Sequence, residues 1–259
     1  MKKLLLAASM LTALALPANA DLVLSDLVFR DLGGTGFGVA PRLLTIQNNV
    51  FEQGSTFATA GGGTGFTGQD GSICTSNGTC GSTLTGANQS LVYSVAALGW
   101  NSGAEVGIGL DTNEIGSTAG LTFQSLVLTL YNDAGVALGS FSGDGPVFIS
   151  QALLALQQGN GNSVFDIRLD AAQQAQYDAI LAANGGPTNV FEGLQAAFGC
   201  TVIAPGCGPS TDGAESFLAF NASIPVPGPI AGAGIPGLIM ALGGLFGLNR
   251  FRKKRQGVA

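Results

Sequence analysis

The clearest pattern in the chain is an alternation between residues 121 and 132. Phe123, Ser125, Val127, Thr129 and Tyr131 alternate with Thr122, Gln124, Leu126, Leu128 and Leu130. Period two is the signature of a β-strand. Asn132-Asp133-Ala134-Gly135 supplies turn chemistry, and a second apolar run starts at Val136. This predicts a β-hairpin with a four-residue connection. Both faces of its first strand are fairly apolar, which suits a strand covered by a second layer. Other short apolar runs, separated by Gly, Asn, Ser and Thr, predict strands at Leu22–Arg30, Leu43–Asn48, Ser90–Leu98, Ala104–Leu110 and Val136–Ser142. Ser163–Leu169 and Phe217–Ala222 read the same way.

Two stretches break the strand pattern. Val147–Gln158 carries Phe148, Ala152 and Leu156 at helical spacing. Asp170–Ala183 opens with a capping-box pair, Asp170 and Gln173, and stops at Asn184-Gly185. Its expected apolar stripe is Ala172, Ala175, Ala179, Ile180 and Ala183. Residues 54–89, rich in Gly, Ser and Thr, are expected to be the least structured part. The fold class that follows is mainly β: an antiparallel β-sandwich or jelly-roll-like body with two short helices, followed by a C-terminal transmembrane helix.

The two ends read as addresses. Lys2 and Lys3 precede an apolar run, Leu4 to Leu16, and Ala18-Asn19-Ala20 gives a small-x-small cleavage site. Residues 1–20 are therefore a predicted signal peptide for signal peptidase, with Asp21 as the new N-terminus. Residues 21–223 form the exported β-rich domain and 224–229 a Pro-rich linker. Residues 230–249 carry no charge and are long enough for a membrane helix of the inner membrane. The tail, 250–259, holds Arg250, Arg252, Lys253, Lys254 and Arg255, a stop-transfer cluster that the positive-inside rule keeps cytoplasmic.

The order Ile224-Pro225-Val226-Pro227-Gly228-Pro229, then a Gly/Ala/Leu-rich span, then the basic end, resembles a PEP-CTERM-type sorting tail. Pro227 and Pro229 match the prolines of that signature, and Gly228 stands where its glutamate would be. The resemblance covers about 30 residues and concerns the address alone. It implies a bacterial envelope protein whose motif at Val226, Pro227, Gly228 and Pro229 is handled by an exosortase-like enzyme. It further implies delivery of the body to the cell surface or the extracellular polysaccharide matrix.

Charge sharpens this division. The chain's formal charge is −6, yet between the two addresses sixteen acids face three arginines, Arg30, Arg42 and Arg168, which leaves −13. A segment so acidic repels phosphates, so a nucleic-acid role is excluded. There is no histidine, and the body has no lysine. Imidazole-based triads, imidazole metal sites and lysine covalent catalysis are thereby ruled out. Glycine makes up 41 of 259 residues, about twice the usual share, which fits turn-dense β structure.

Few residues suggest chemistry. Cys74, Cys80, Cys200 and Cys207 are even in number and exported, which predicts disulfides. Three connectivities are open; the local one is Cys74–Cys80 with Cys200–Cys207. A four-thiolate zinc site is the rival, without the usual C-x-x-C spacing. Gly63-x-Gly65-x-x-Gly68 matches a dinucleotide fingerprint by letters but lacks the strand-turn-helix setting. Asp111-x-Asn113-Glu114, and Asp144, Asp166 and Asp170 if gathered, could supply oxygens to calcium; otherwise they are solvated acids and caps. No other cofactor is expected. Trp100 is the single tryptophan and reads as core before sugar platform. The expected function is a non-enzymatic exported surface or matrix protein with a structural or adhesive body. The alternative is a secreted carbohydrate-active enzyme, or a calcium- or glycan-binding module, sorted by the same tail.

Overall fold

The longest strand is the one the alternation predicts, Leu121–Asn132, and Leu126, Leu128 and Leu130 are its buried row. The computed structural model describes residues 21–22, 28–31, 40–48, 50–69, 72–74, 79–85, 89–113, 120–155, 163–200, 207–211 and 213–224. The first strands are β1 (Asp21–Leu22), β2 (Val28–Asp31), β3 (Arg42–Ile46), β4 (Phe51–Thr59) and β5 (Gly63–Thr67). Three short strands follow, β6 (Ile73–Cys74), β7 (Thr79–Cys80) and β8 (Thr83–Leu84). Next come β9 (Val106–Asp111), β10 (Leu121–Asn132), β11 (Ala137–Gly143), β12 (Val147–Ile149) and helix α1 (Gln151–Leu154). The last elements are β13 (Ser163–Arg168), helix α2 (Ala171–Ala183), β14 (Val190–Gly199) and β15 (Glu215–Asn221).

Two sheets result. One has the order β1-β11-β10-β14-β4-β5-β6, with β12 also paired to β10; the other runs β2-β13-β9-β15-β3-β8-β7. Pairing is antiparallel except between β1 and β11. Successive strands β1 and β2 sit at edges of different sheets, and so do β6 and β7. The chain therefore crosses between layers at both edges, the arrangement of a sandwich.

One core joins the layers. Phe123 of β10 stacks on Phe198 of β14 with centroids 4.6 Å apart, and Phe198 lies 5.8 Å from Phe217 of β15 in the other sheet. Ile108, Leu110 and Ala219 are buried beside them. Burying a ring of this size is worth roughly 1.5–3 kcal/mol, so this triad contributes strongly to holding the layers together.

Helix α2 forms as its capping box directs. The Gln173 amide donates to Asp170 Oδ1 at 2.8 Å, and the Asp170 amide donates to Gln173 Oε1 at 3.4 Å. Its buried face differs from the expected alanine stripe. Gln173, Tyr177 and Leu181, one helical turn apart, face inward, while Ala172, Ala175, Ala179 and Ala183 are exposed. Tyr177 and Leu181 offer far more apolar area than alanines, and area decides the orientation.

Four further expectations are corrected. Val147–Gln158 is not one helix: Val147–Ile149 pairs with β10, the described helix is Gln151–Leu154, capped by Ser150 Oγ, and residues 156–158 lie outside the described residues. Ladder pairing with an existing strand outweighs a weak helical period. Ser90–Leu98 is not a continuous strand; it makes isolated bridges at Ser90 and at Ser94, the latter to Phe191, and then turns. Residues 54–89 are not the least structured part, since β4, β5 and the three short strands lie there. The strand β14 was not expected at all. The predicted signal peptide, sorting motif, membrane helix and basic tail fall outside the described residues. Among the described residues no helix is long and apolar enough to cross a membrane.

Candidate functional site

The cysteines form two local disulfides, Cys74–Cys80 and Cys200–Cys207, with Cα separations of 6.0 and 6.1 Å. This selects one of the three connectivities and removes the zinc alternative, since every thiol is consumed. The first bridge ties β6 to β7, which are the terminal strands of the two different sheets. It staples the sandwich shut along one edge. The second closes the loop that follows β14. That loop is tied back by Val50 N–H to Ser210 O at 2.6 Å, and by a pair of bonds between Gly208 and Thr122. Replacing either pair by serines should lower stability by about 2–2.5 kcal/mol, from the loop lengths closed. Urea unfolding with and without reductant measures this, and an unchanged midpoint would count against it.

The acids that could have served calcium if gathered take other partners. Asp166 pairs with Arg168 at 2.7 Å, and Asp170 caps α2. Asn113 accepts a main-chain hydrogen bond from Gly213 at 3.1 Å, and Glu114 lies outside the described residues. Burial pushes the Asp111 carboxyl up to about 7, with Arg42 acting in the opposite direction. Among the described residues no group of three or more His, Cys, Asp or Glu is placed to hold a metal ion.

Two buried carboxyls with polar partners stand in places the sequence reading passed over. Glu52 of β4 is fully buried; its Oε2 accepts from Asn48 N–H at 2.9 Å and its Oε1 from Ser210 Oγ at 3.2 Å. Glu192 of β14 is fully buried and accepts from Tyr93 N–H at 3.0 Å. A polar residue at an inward position of a strand was the available signal. Each carboxyl replaces a missing strand partner, satisfying an amide that has no ladder carbonyl.

Trp100 is core, with 0% exposure. Its indole N–H donates to Phe220 O at 2.8 Å, and its own carbonyl accepts the Tyr177 hydroxyl at 3.0 Å. The fingerprint-like Gly63-x-Gly65-x-x-Gly68 begins inside β5 and opens no helix. Gly65 is there because the Phe57 ring of β4 lies over it, where a Cβ would collide. Phe220 covers Gly107 in the other sheet in the same way. Aromatic rings laid over cross-strand glycines account for part of the glycine richness.

Of the processing sites, Asp21 is the first residue of β1 and pairs with Ser142. Ala18, Ala20, Val226, Pro227, Gly228, Pro229, Arg250, Arg252, Lys253, Lys254 and Arg255 lie outside the described residues. No family model matches the chain, and neither a curated protein nor a solved structure matches it. The described geometry is that of a stapled sandwich whose buried carboxyls satisfy its own backbone.

Proposed function

We propose that the chain is an exported bacterial envelope protein, sorted through its C-terminal tail, whose body acts as a structural or adhesive component of the cell surface or its polysaccharide matrix. The observation that carries this reading is the tripartite order at the C-terminus: Val226-Pro227-Gly228-Pro229, an uncharged span, then Arg250 to Arg255. A hydrophobic signal at residues 4–16 provides export. Two disulfides support the same direction, because such bridges form and persist in oxidising compartments. The staple across the sheet edges suits a body that must persist outside the cell without chaperones.

In this reading signal peptidase releases Asp21, the apolar span holds the chain in the inner membrane, and an exosortase-like enzyme acts near Val226–Pro229. The body then works by persistence and contact, not by catalysis. Mass spectrometry of the protein from its native envelope tests the scheme. The expected species begins at Asp21 and lacks the residues beyond about 229. A species that retains its basic C-terminus would remove sorting by cleavage and leave a plain membrane anchor.

A further inference from the structure

Strand β14 changes partners part-way along. From Gly199 to Gln195 it pairs with β4, Phe51 to Ser55. Then β4 lifts away. The Leu194 amide donates to the Thr56 side-chain Oγ1 at 3.0 Å, and Gly193 lies beneath the Thr56 carbonyl. The segment around Tyr93 takes over the vacated side. Glu192 N–H donates to Tyr93 O at 3.1 Å, Ser94 bridges Phe191, and Val95 N–H donates to Val190 O at 2.9 Å. Main chain and side chain of Glu192 thus hold both polar groups of Tyr93, since Oε1 accepts the Tyr93 amide. The other oxygen, Oε2, is buried without a hydrogen-bond partner.

We propose that Glu192 is a protonation-controlled latch for the segment Tyr93–Ala96, holding it against β14 when neutral and loosening it on ionisation. Inside a sandwich the neutral acid needs little solvation, whereas a carboxylate with one N–H donor is poorly stabilised. Opening the segment lets water reach the charge, and a local opening costs less than unfolding the sandwich. The ionisable groups that feel this charge are Tyr93 on the segment itself, Tyr131 on β10 and Tyr177 on α2. All three are phenols, which are neutral through the physiological range, so they offer no compensating cation.

Burial pushes the Glu192 carboxyl up to about 8, with the Tyr93 amide pulling the other way. In the opened segment it returns towards an ordinary carboxylate value. The closed form therefore binds the proton more tightly than the open form. The latch is strongest below about pH 4.5 and weakens as pH rises, until it levels off above about 8.

Hydrogen exchange of the full-length protein, corrected for intrinsic rates, measures this between about pH 5 and 8. The opening constant of the Tyr93–Ala96 amides should rise about tenfold per pH unit. In Glu192→Gln, which keeps an acceptor for Tyr93, the constant should be flat. A flat wild-type profile overturns the latch, and so does a slope that survives in Glu192→Gln. If that variant does not fold, the wild type alone decides. A slope confined to Tyr93–Ala96 and the facing half of β14 supports the latch; an equal slope in β11, which carries no ionisable side chain, overturns it.

Discussion

Truncating Trp100 to alanine should cost about 3–5 kcal/mol, the range for large aromatic deletions in cores. Trp100 ties several separate elements together. Its indole ring is fully buried, its Nε1–H reaches β15 at Phe220 O, and its carbonyl receives Tyr177 from α2. Its amide closes the turn back to Val95 O at 2.9 Å. The substitution leaves a cavity and removes the indole hydrogen bond to the part-buried Phe220 carbonyl. In a domain of this size the expected fall in melting temperature is about 10 °C. Circular dichroism is the right probe, because the variant loses the chain's single tryptophan. A change under about 1 kcal/mol would mean that the site collapses around the smaller residue.

Gly199→Ala should cost about 2–5 kcal/mol, from two separable causes. The backbone at Gly199 has φ +79°, the left-handed region that carries a penalty of about 1–2 kcal/mol for an L side chain. A Cβ there would also overlap the Val50 carbonyl oxygen and lie 3.0 Å from the Ser210 nitrogen, both main-chain atoms that cannot rotate away. Overpacking of this kind adds about 1–3 kcal/mol. Val50 itself has φ +75°, unusual for a β-branched residue, and is held there by hydrogen bonds to Cys200 and Ser210. Gly61 is the internal control. It has φ +74° and ψ +20° and nothing within 4 Å of a Cβ, so Gly61→Ala carries the conformational cost alone. Urea midpoints for the two variants separate the terms, and equal losses would show that the approach of Val50 does not matter.

The strands that were legible are those with a regular inward row. β10 and β13 show it, and β11 follows from the turn chemistry at Asn132–Gly135, where Asn132 Oδ1 accepts from Ala134 and Val136. β14 was hidden because its inward row is Val190, Glu192, Leu194, Ala196 and Phe198, with an acid interrupting the apolar period. β4 was hidden for a related reason. Its buried row is Glu52, Gly54, Thr56 and Ala58, small or polar, while Phe51 and Phe57 face the other way. In both strands the inward residue that spoils the pattern is a hydrogen-bond acceptor for an amide elsewhere.

By itself the sequence determined the β class, the α2 cap and stop, the burial of Trp100, and the cysteine chemistry to within its pairing. These depend on periodicity, on residues three apart, or on counts, and all are visible in neighbouring letters. The tertiary structure decided which strands are central, which cysteines pair, and why Glu52 and Glu192 can lie inside an acidic chain. Glu192 and Tyr93 are 99 residues apart. A carboxyl that far from the amide it satisfies is, in the sequence, one more acid; its burial and its proton exist only once the two segments meet.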